Sequence, residues 1–452
     1  MKITVIGGAG VRTVIFINGL LERYQDLKIH EVVLYDTDLK KLEIIGKLCS
    51  YVVKRKQEKL QVKIAKDPIE AITGADYIVT TLRVGGDHSR VIDEKVALES
   101  GVIGQETTGV GGFSMALRTI PTLVEYCEMI KQYASDAWIF NFTNPSGLVT
   151  QALRSKGYDK IIGICDAPSS TKFRMAKALG IKEKELYVEF FGLNHLSWIR
   201  SVKKDEEEIL EQLLQDDLFL KEVQEFSMFD VELLRSLKLL PNEYLYYYYH
   251  REKALENILK SETTRGQTIE QVNIQMMKEL QAMDIEEQSE EALQTFLYYM
   301  ELREHSYMSI ETGHGTIPQI EKGALEVPDG MGYAGVMLDC IEGMQSQEGK
   351  YLVLSVPNQG CIEGLQAEDI IEVTCHVSNS GIKPVQIGKI PEHCRILIEN
   401  IKYYEKQAVE AIFEQSKEKA IEALTLHPLI QSYSLAKQLV EKYDQVYGGL
   451  FH

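Results

Sequence analysis

Residues 1–10 read Met1-Lys2-Ile3-Thr4-Val5-Ile6-Gly7-Gly8-Ala9-Gly10, a short apolar strand that runs directly into a glycine-rich turn. Apolar residues then recur at helical spacing from about Val11 to Leu21. Glycine lets a backbone approach a pyrophosphate without a Cβ clash, and the free N–H groups that begin a helix supply positive potential. This pattern predicts a dinucleotide-binding turn, with Gly7, Gly8 and Gly10 as the cofactor-binding glycines.

A second predicted strand, Glu31 to Tyr35, is followed directly by Asp36. A carboxylate in this place accepts hydrogen bonds from the adenosine ribose, so Asp36 favours NAD over NADP. The turn departs from the G-x-G-x-x-G pattern because Thr13 occupies the third glycine position. A glycine-rich turn that binds no nucleotide would look similar, and the residues alone leave that alternative open.

Predicted strands and helices continue to alternate beyond this point, which is typical of a doubly wound parallel sheet. We therefore predict an α/β fold, with a Rossmann-like NAD-binding domain at residues 1–168. A second α+β, mostly helical domain is predicted at residues 169–452, as in lactate and malate dehydrogenases. It should contain a small extra sheet within residues 351–377 and a packed helical subdomain from Cys394 to Tyr447. Apolar positions at helical spacing in that subdomain include Ile396, Ile398, Ile401 and Tyr404.

The glycine-dense stretch Val102 to Phe113 interrupts this alternation. It is too polar at its centre for a strand and too flexible for a helix. We predict a loop that turns or wraps around a ligand.

The composition of the 452 residues excludes several classes of protein. Lys and Arg number 49 against 67 Asp and Glu, so the formal net charge of −18 argues against nonspecific binding to nucleic acid or anionic membranes. Seven cysteines with no CxxC pair make a disulfide framework unlikely and indicate reduced thiols. No apolar run approaches membrane-spanning length. We expect a soluble cytoplasmic protein.

The stretch Ile161-Ile162-Gly163-Ile164-Cys165-Asp166 is an apolar run that ends in a thiol and a carboxylate. Ligands of open α/β sheets bind beyond the carboxyl ends of the strands, so Cys165 and Asp166 should face a bound molecule. His195 interrupts a second apolar segment, and a thiol with an imidazole could hold a metal ion that keeps open positions for substrate oxygens. A histidine in an apolar segment is more often a satisfied core residue.

Three further polar residues are candidates for substrate contacts. Asn144 follows the predicted strand Trp138 to Phe142, where it could also form an Asx turn. Arg90 follows the fourth predicted strand, and Arg265 precedes a long helix. A guanidinium suits phosphate, although either arginine could instead be a surface ion-pair partner or a charge near a helix cap.

Six segments together resemble the NAD- and metal-dependent glycoside hydrolases of family four, the 6-phospho-α- and 6-phospho-β-glucosidases. The resemblance runs nearly end to end, in the family's order and at its approximate spacings. The segments are Ile103-Gly104-Gln105-Glu106-Thr107, Asn144-Pro145, Ile164-Cys165-Asp166, Gly192-Leu193-Asn194-His195, Leu240-Pro241-Asn242-Glu243-Tyr244-Leu245 and Thr264-Arg265.

The resemblance implies hydrolysis by oxidation and elimination, since this family is a recognised exception to the two-carboxylate scheme of glycosidases. NAD⁺ removes hydride from sugar C3, Tyr244 removes the acidified C2 proton, and Asp166 protonates the departing oxygen. Water then adds, and the bound NADH returns the hydride. A divalent metal, Mn²⁺ by family analogy, is held by Cys165 and His195 and lowers the proton affinity of the tyrosine.

The resemblance also implies that Arg90, Asn144 and Arg265 hold the 6-phosphate and hydroxyls of a phosphorylated disaccharide or glucoside. We expect a homodimer or homotetramer, with the C-terminal helices as a candidate oligomer face. Family members that act on α-linkages tend to carry Asp after the metal-binding Cys, so Asp166 favours a 6-phospho-α-glucosidase. The loop Gln105-Glu106-Thr107-Thr108-Gly109 looks more like that of β-acting members.

Three departures from the family pattern bear on cofactor and sugar contacts. Val11-Arg12 stands where a Ser- or Thr-rich turn is usual, and Gln359 replaces a common Asn. Arg303-Glu304-His305 corresponds to a segment that is often Arg-Gly-Gly. The alternatives are an NAD-dependent 2-hydroxyacid dehydrogenase, which would not need Cys165, and a nucleotide sensor without catalytic activity, against which the intact Cys165 and Tyr244 argue.

Overall fold

The first part of the chain forms a parallel β-sheet whose strands alternate with helices. The structure is a computed structural model that describes residues 1–313, 320, 323, 325–328 and 332–451. The parallel strands are β1 (Lys2–Ile6), β2 (Glu31–Tyr35), β3 (Gln61–Ile64), β4 (Tyr77–Thr80), β5 (Trp138–Asn141) and β6 (Ile161–Gly163). The helices between them are α1 (Thr13–Leu20), α2 (Leu39–Arg55), α3 (Pro68–Ile72), α4 (Gly86–Glu99), α5 (Val110–Tyr133) and α6 (Ser146–Ser155). The predicted Rossmann-like α/β fold is confirmed.

The order β3-β2-β1-β4-β5-β6 places the first strand in the middle of the parallel sheet. The chain adds strands on one side of β1 and then on the other, so a crevice opens beyond its carboxyl end, where ligands of such folds bind. Gly7 occupies this point with φ +96°, and a Cβ there would lie 2.7 Å from the backbone nitrogen of Leu82. Only glycine fits this position without displacing the backbone.

The glycine-dense stretch is helical at its end, contrary to the prediction of a loop throughout residues 102–113. Helix α5 begins at Val110 and includes Gly111 and Gly112. A Cβ on these residues would lie 2.4 Å from the Gln105 carbonyl oxygen and 2.6 Å from the Thr107 carbonyl oxygen, respectively. These glycines allow close packing of the helix on the preceding loop, so their number does not indicate flexibility here.

A second, smaller sheet contains β7 (Leu186–Leu193), β8 (Leu196–Lys204), β9 (Glu207–Glu208) and β10 (Leu240–Pro241). Strands β7 and β8 are antiparallel and form a hairpin, where the sequence predicts one strand interrupted by Asn-His. Asn194 and His195 are the turn, and His195 has φ +62°. The histidine is thereby placed at the tip of the hairpin instead of within a strand.

The last strands are β11 (Lys350–Pro357), β12 (Ile370–Ser378) and β13 (Gly381–Pro384). They do not form the small extra sheet predicted from the sequence. They extend the main sheet with antiparallel strands beyond β6, through a pairing of Ser355 with Gly163. An exposed edge of β6 would leave backbone groups unpaired, and these strands cover it. The main sheet therefore includes residues from both sides of the predicted boundary at residue 168.

The remaining helices follow β6 along the chain. They are α7 (Ala167–Ala178), α8 (Leu210–Gln215), α9 (Asp217–Glu222), α10 (Gln224–Ser227), α11 (Val231–Leu237), α12 (Tyr246–Tyr249), α13 (Arg251–Lys260), α14 (Arg265–Gln281), α15 (Ser289–His305), α16 (Ser309–Thr312), α17 (Tyr333–Gln345), α18 (Glu392–Glu414), α19 (Lys417–Thr425) and α20 (Tyr433–Tyr447). Short 3₁₀ turns occupy Glu183–Glu185 and Glu243–Leu245.

Helices α18, α19 and α20 occupy the segment Cys394 to Tyr447, in which the sequence predicts helices. Ile398, Ile401 and Tyr404 are buried, but Ile396 is 49% exposed and does not belong to the packed face. All seven cysteines are free thiols, as predicted. None of the described helices has both the length and the apolar character needed to cross a membrane.

Candidate active site

A cavity of about 750 Å³ opens at the carboxyl ends of β1, β4, β5 and β6. The fold brings ten of the eleven predicted site residues to its wall: Gly7, Gly10, Asp36, Arg90, Asn144, Cys165, Asp166, His195, Tyr244 and Arg265. Gly8 is the exception, because it packs beneath the turn against Leu34 and Tyr35. Its role is therefore close packing of the turn on β2.

One end of the cavity is formed by the glycine turn and Asp36. The Asp36 Oδ2 atom accepts a hydrogen bond from the Ala9 backbone nitrogen at 3.1 Å, and Oδ1 accepts one from the Asp38 backbone nitrogen at 3.1 Å. Each carboxylate oxygen retains a lone pair for a ribose hydroxyl. A Cβ at Gly10 would lie 3.1 Å from the Gly7 carbonyl oxygen, so the turn is shaped by the absence of side chains. These features fit the ribose and pyrophosphate of a dinucleotide.

Cys165 and His195 meet across the cavity from β6 and the β7–β8 turn. The Cys165 Sγ atom lies 3.4 Å from His195 Nε2. The Thr107 hydroxyl donates to the Gln105 side-chain oxygen at 2.9 Å and lies 2.8 Å from His195 Nδ1. Because its single proton is engaged by Gln105, the Thr107 oxygen accepts from an Nδ1–H group. This arrangement leaves the Nε2 lone pair directed toward Cys165.

Burial keeps both of these groups neutral in the absence of a metal. It lowers the pKa of His195 to about 4, so the imidazole can donate a lone pair at neutral pH. Burial, with the charges of Glu372 and Asp166, raises the pKa of the Cys165 thiol well above its usual value. A cation would have to displace the thiol proton.

The donor set suits a divalent metal ion that binds with open coordination positions. A thiolate sulfur and an imidazole nitrogen are both ordinary ligands of first-row metals. No group of three or more His, Cys, Asp or Glu residues that could hold a metal occurs among the described residues. Further ligands would therefore come from substrate oxygens or water.

Tyr244 lies on the 3₁₀ turn that follows β10, and its ring stacks on His195. The Asn242 side chain accepts a hydrogen bond from the Tyr244 backbone nitrogen at 3.0 Å, which sets the start of this turn. Burial and the neighbouring Glu243 and Cys165 raise the pKa of the Tyr244 phenol well above 10, while a hydrogen bond from Tyr307 lowers it. A bound cation nearby would favour the phenolate.

Asp166 immediately precedes α7 and lines the cavity. Its Oδ2 atom pairs with Arg12 Nη1 at 2.8 Å. The Arg12 guanidinium also lies 3.7 Å from Glu304. Arg12 thus links the predicted nucleotide site to the predicted acid.

The arginines of the cavity differ in how fully they are paired. Arg90 is buried between Glu94 at 2.8 Å and Glu106 at 3.1 Å. These two carboxylates largely neutralise its charge. Arg265 donates from Nη1 to the Ser306 hydroxyl at 2.7 Å, and its guanidinium lies 5.2 Å from the centre of the Tyr307 ring. Arg265 is therefore better placed than Arg90 to offer charge to an anion.

Arg303 also lines the cavity near Arg12 and Arg265. Burial and the neighbouring positive charge of Arg12 lower the pKa of its guanidinium to about 10, and Arg265 adds to this effect. A cluster of guanidinium groups that repel each other is stabilised by a bound phosphate. The sequence flagged Arg303 only as part of a divergent segment.

Some residues of the site were not singled out from the sequence. Thr107, which contacts His195, was visible only as part of a resembling segment, without a role. Ser170, Arg174 and Glu225 line the cavity. The spacing of four between Asp166, Ser170 and Arg174 could have revealed a shared helix face.

Two family models match successive parts of the chain. The model described as family 4 glycosyl hydrolase matches residues 2–181, and the model described as family 4 glycosyl hydrolase C-terminal domain matches residues 190–430. Together they span most of the chain.

Individual relatives match over nearly full length. A protein of Bacillus subtilis named probable 6-phospho-beta-glucosidase is 30% identical over 98% of this chain and 95% of its own. The Thermotoga maritima 6-phospho-beta-glucosidase solved with manganese, NAD+ and glucose-6-phosphate is 30% identical, with a TM-score of 0.81 over 99% of this chain and 98% of its own. A 6-phospho-alpha-glucosidase from gut microorganisms, solved with NAD and glucose-6-phosphate, is 27% identical, with a TM-score of 0.79 over 100% and 99% of the two chains.

Proposed function

The chain belongs to the family 4 glycosyl hydrolases, and we propose that it hydrolyses 6-phosphorylated glucosides with bound NAD and a divalent cation such as Mn²⁺. Relatives and solved neighbours with α- and β-glucosidase names support a 6-phosphoglucoside substrate. The observation that carries the proposal is the Cys165–His195 pair, which lies beside Tyr244 in the same cavity as the glycine turn.

The two cofactors would be held by different parts of the cavity. Gly7, Gly10 and Asp36 would hold the dinucleotide, while Cys165 and His195 would hold the cation. NAD supplies a hydride acceptor and donor when bound, and the cation supplies a Lewis acid for adjacent sugar oxygens.

Tyr244 and Asp166 would move the protons of the reaction. Tyr244 is the general base that takes a proton from sugar C2, since its ring is held against the metal ligand His195. Asp166 is the acid that gives a proton to the departing oxygen from the start of α7.

The phosphate would be held where guanidinium groups converge. Arg265 and Arg303 supply charge, and Asn144 supplies an amide for a sugar hydroxyl or the phosphate. Arg90, which is already paired with two carboxylates, orders Glu106 and Glu94 around this site. The N–H groups of Arg90 that are not engaged in these ion pairs would contact the substrate.

We propose the α-anomer as the preferred linkage, because Asp166 follows Cys165 as in α-acting members of the family. The β-anomer is the second candidate. It is favoured by the 30% identity to two proteins with 6-phospho-beta-glucosidase names, from Bacillus subtilis and Thermotoga maritima.

Hydrolysis of p-nitrophenyl α- and β-glucoside 6-phosphates, with NAD⁺ and Mn²⁺ supplied or omitted under reducing conditions, tests the proposal. Cleavage that needs both cofactors is expected, and the reactive anomer is read directly. Accumulation of NADH with no released nitrophenol would indicate a dehydrogenase, and no turnover of either compound would indicate a sensor or another sugar. Cys165→Ser should fold normally but lose metal binding and activity.

A further inference from the structure

Ser170 and Arg174 continue one face of α7 beyond Asp166. The three residues are spaced by four, and all of them line the cavity. Residues four apart lie above one another on a helix. The wall that begins at the predicted acid therefore runs along about two turns of α7.

Ser170 and Arg174 have hydrogen-bonding groups that the protein does not use. The half-buried Ser170 hydroxyl has no partner in the part of the chain that the structure describes. Arg174 makes one ion pair there, from Nη1 to the Glu225 Oε1 atom at 3.4 Å. A guanidinium has five N–H donors, so most of those on Arg174 remain available.

Glu225 fixes Arg174 in this position. It is only 4% exposed, and its Oε1 atom also accepts a hydrogen bond from the Thr171 hydroxyl at 3.3 Å. The Oε2 atoms of Glu225 and the adjacent Glu243 are both buried without a partner among the described residues. Burial, with the charge of Glu225, raises the pKa of Glu243. The wall therefore combines one guanidinium with one buried carboxylate that offsets its charge, beside a second buried carboxyl.

We propose that Ser170, Arg174 and Glu225 form the subsite for the leaving group, and that this subsite takes a neutral polyhydroxylated aglycone such as a second sugar. The proposal rests on the proposed function, in which Asp166 gives its proton to the departing oxygen. The aglycone must then begin beside Asp166, and the wall that continues from there is the face of α7.

The chemistry of this wall disfavours the other classes of aglycone. An aromatic or alkyl group would remove water from Arg174 and Ser170 without replacing the lost hydrogen bonds. An anionic group would meet a guanidinium already offset by Glu225 and would approach that carboxylate. Adjacent hydroxyls of a sugar can accept from Arg174 and both donate to and accept from Ser170.

The test compares three substrates of whichever anomer the wild-type enzyme cleaves: maltose or cellobiose 6′-phosphate, the phenyl glucoside 6-phosphate and the p-nitrophenyl glucoside 6-phosphate. Arg174→Gln should lower kcat/KM for the disaccharide by about 10- to 100-fold more than for either aryl compound, as expected for a lost hydrogen bond to a charged group. Ser170→Ala should show the same selectivity with a smaller loss. Lys172→Gln is the matched control, because Lys172 lies on the same helix, pairs with Glu183 at 3.9 Å and does not line the cavity.

The phenyl compound separates aglycone binding from acid catalysis. If Arg174→Gln slows the phenyl compound as much as the disaccharide, the arginine acts through Asp166 and the proposal is overturned. Equal losses on all three substrates, or wild-type cleavage of aryl compounds without the disaccharides, would also overturn it. If Arg174→Gln does not fold, Ser170→Ala decides by the same comparison. Wild-type enzyme that cleaves none of the substrates would instead contradict the proposed function itself.

Discussion

The imidazole of His195 and the phenol of Tyr244 lie face to face, with ring centroids 3.7 Å apart and planes inclined by 8°. One small sheet holds both residues in this relationship. His195 is in the turn that joins β7 to β8, and Tyr244 follows β10, which pairs with β8 through Pro241 and Trp198. The proposed metal ligand and the proposed base are therefore positioned by the same strand, β8.

Tyr244→Phe should separate the role of the hydroxyl from that of the ring. The phenylalanine ring can keep the stacking on His195, so Mn²⁺ affinity should change by less than about threefold. Loss of the general base should lower kcat by about 10²- to 10⁴-fold. Metal titration and solvent-deuterium exchange at sugar C2 are the measurements.

Tyr246→Phe provides the control for this substitution. The Tyr246 hydroxyl is buried and has no partner among the described residues, so its removal should leave activity and exchange unchanged. If Tyr244→Phe exchanged deuterium at the wild-type rate, another residue would have to be the base.

Thr107→Val should weaken metal binding although it leaves both proposed metal ligands, Cys165 and His195, in place. The substitution removes the oxygen that lies 2.8 Å from His195 Nδ1 and fixes the tautomer of the imidazole. Loss of such an outer hydrogen bond lowers metal affinity by about 10- to 100-fold. Isothermal titration with Mn²⁺ in the absence of substrate measures this loss directly. Thr107→Ser keeps the hydroxyl and should restore affinity, and equal affinities of the two variants would show that Thr107 does not orient His195.

The geometry of the proposed nucleotide half of the site was predictable because its signals are local. The strand that precedes Gly7 and the strand that ends before Asp36 are visible in a few consecutive residues. Hydrophobic periodicity and glycine position determine both features. The structure places the glycine turn and the carboxylate together as the sequence predicts.

The hairpin turn that carries His195 was not predictable, because distant residues stabilise it. His195 adopts a left-handed backbone conformation that glycine would favour, and Asn194 is the only typical turn residue at the tip, so the turn signal in the sequence is weak. Glu372 on β12 accepts hydrogen bonds from the Asn194 side chain at 2.9 Å and from the Ser197 hydroxyl at 3.2 Å. The attachment of β11 to β6 and the pairing of Arg174 with Glu225 depend on tertiary contacts in the same way.

Asp36→Ala should weaken NAD binding and reduce the preference for NAD over NADP. The carboxylate is tied to the turn through the backbone nitrogen of Ala9, and its loss would remove both this link and the proposed ribose contacts. We expect NAD affinity to fall by about tenfold or more, as for the loss of a charged hydrogen-bond acceptor. Titrations with NAD⁺ and NADP⁺ give the affinity for each nucleotide, and the ratio of the two affinities gives the preference. Asp67→Ala removes another aspartate that accepts from a backbone nitrogen, at the start of α3, and should not affect either nucleotide.

His427 should make the protein less stable as the pH falls below about 6.5. The residue is 1% exposed, accepts a hydrogen bond at Nδ1 from the Leu429 backbone nitrogen at 3.1 Å, and packs against the edge of the Tyr404 ring. Burial lowers its pKa to about 3 in the folded protein. The unfolded chain, with a histidine pKa of about 6.5, binds the proton first. The contribution of His427 to the free energy of unfolding is thus complete above about pH 6.5. It declines toward pH 3 by up to about 1.4 kcal/mol per pH unit.

His427→Asn isolates this contribution, because asparagine offers an acceptor but does not titrate in this range. Urea unfolding of wild type and variant at pH 7 and pH 5 gives the free energies of unfolding. The free energy of unfolding of the wild type relative to that of the variant should fall by about 2 kcal/mol from pH 7 to pH 5, because pH 5 lies about 1.5 pH units below the histidine pKa of the unfolded chain. Other groups that titrate in both proteins cancel in the difference. A difference that stayed constant with pH would mean that folded His427 takes up a proton as readily as the unfolded chain.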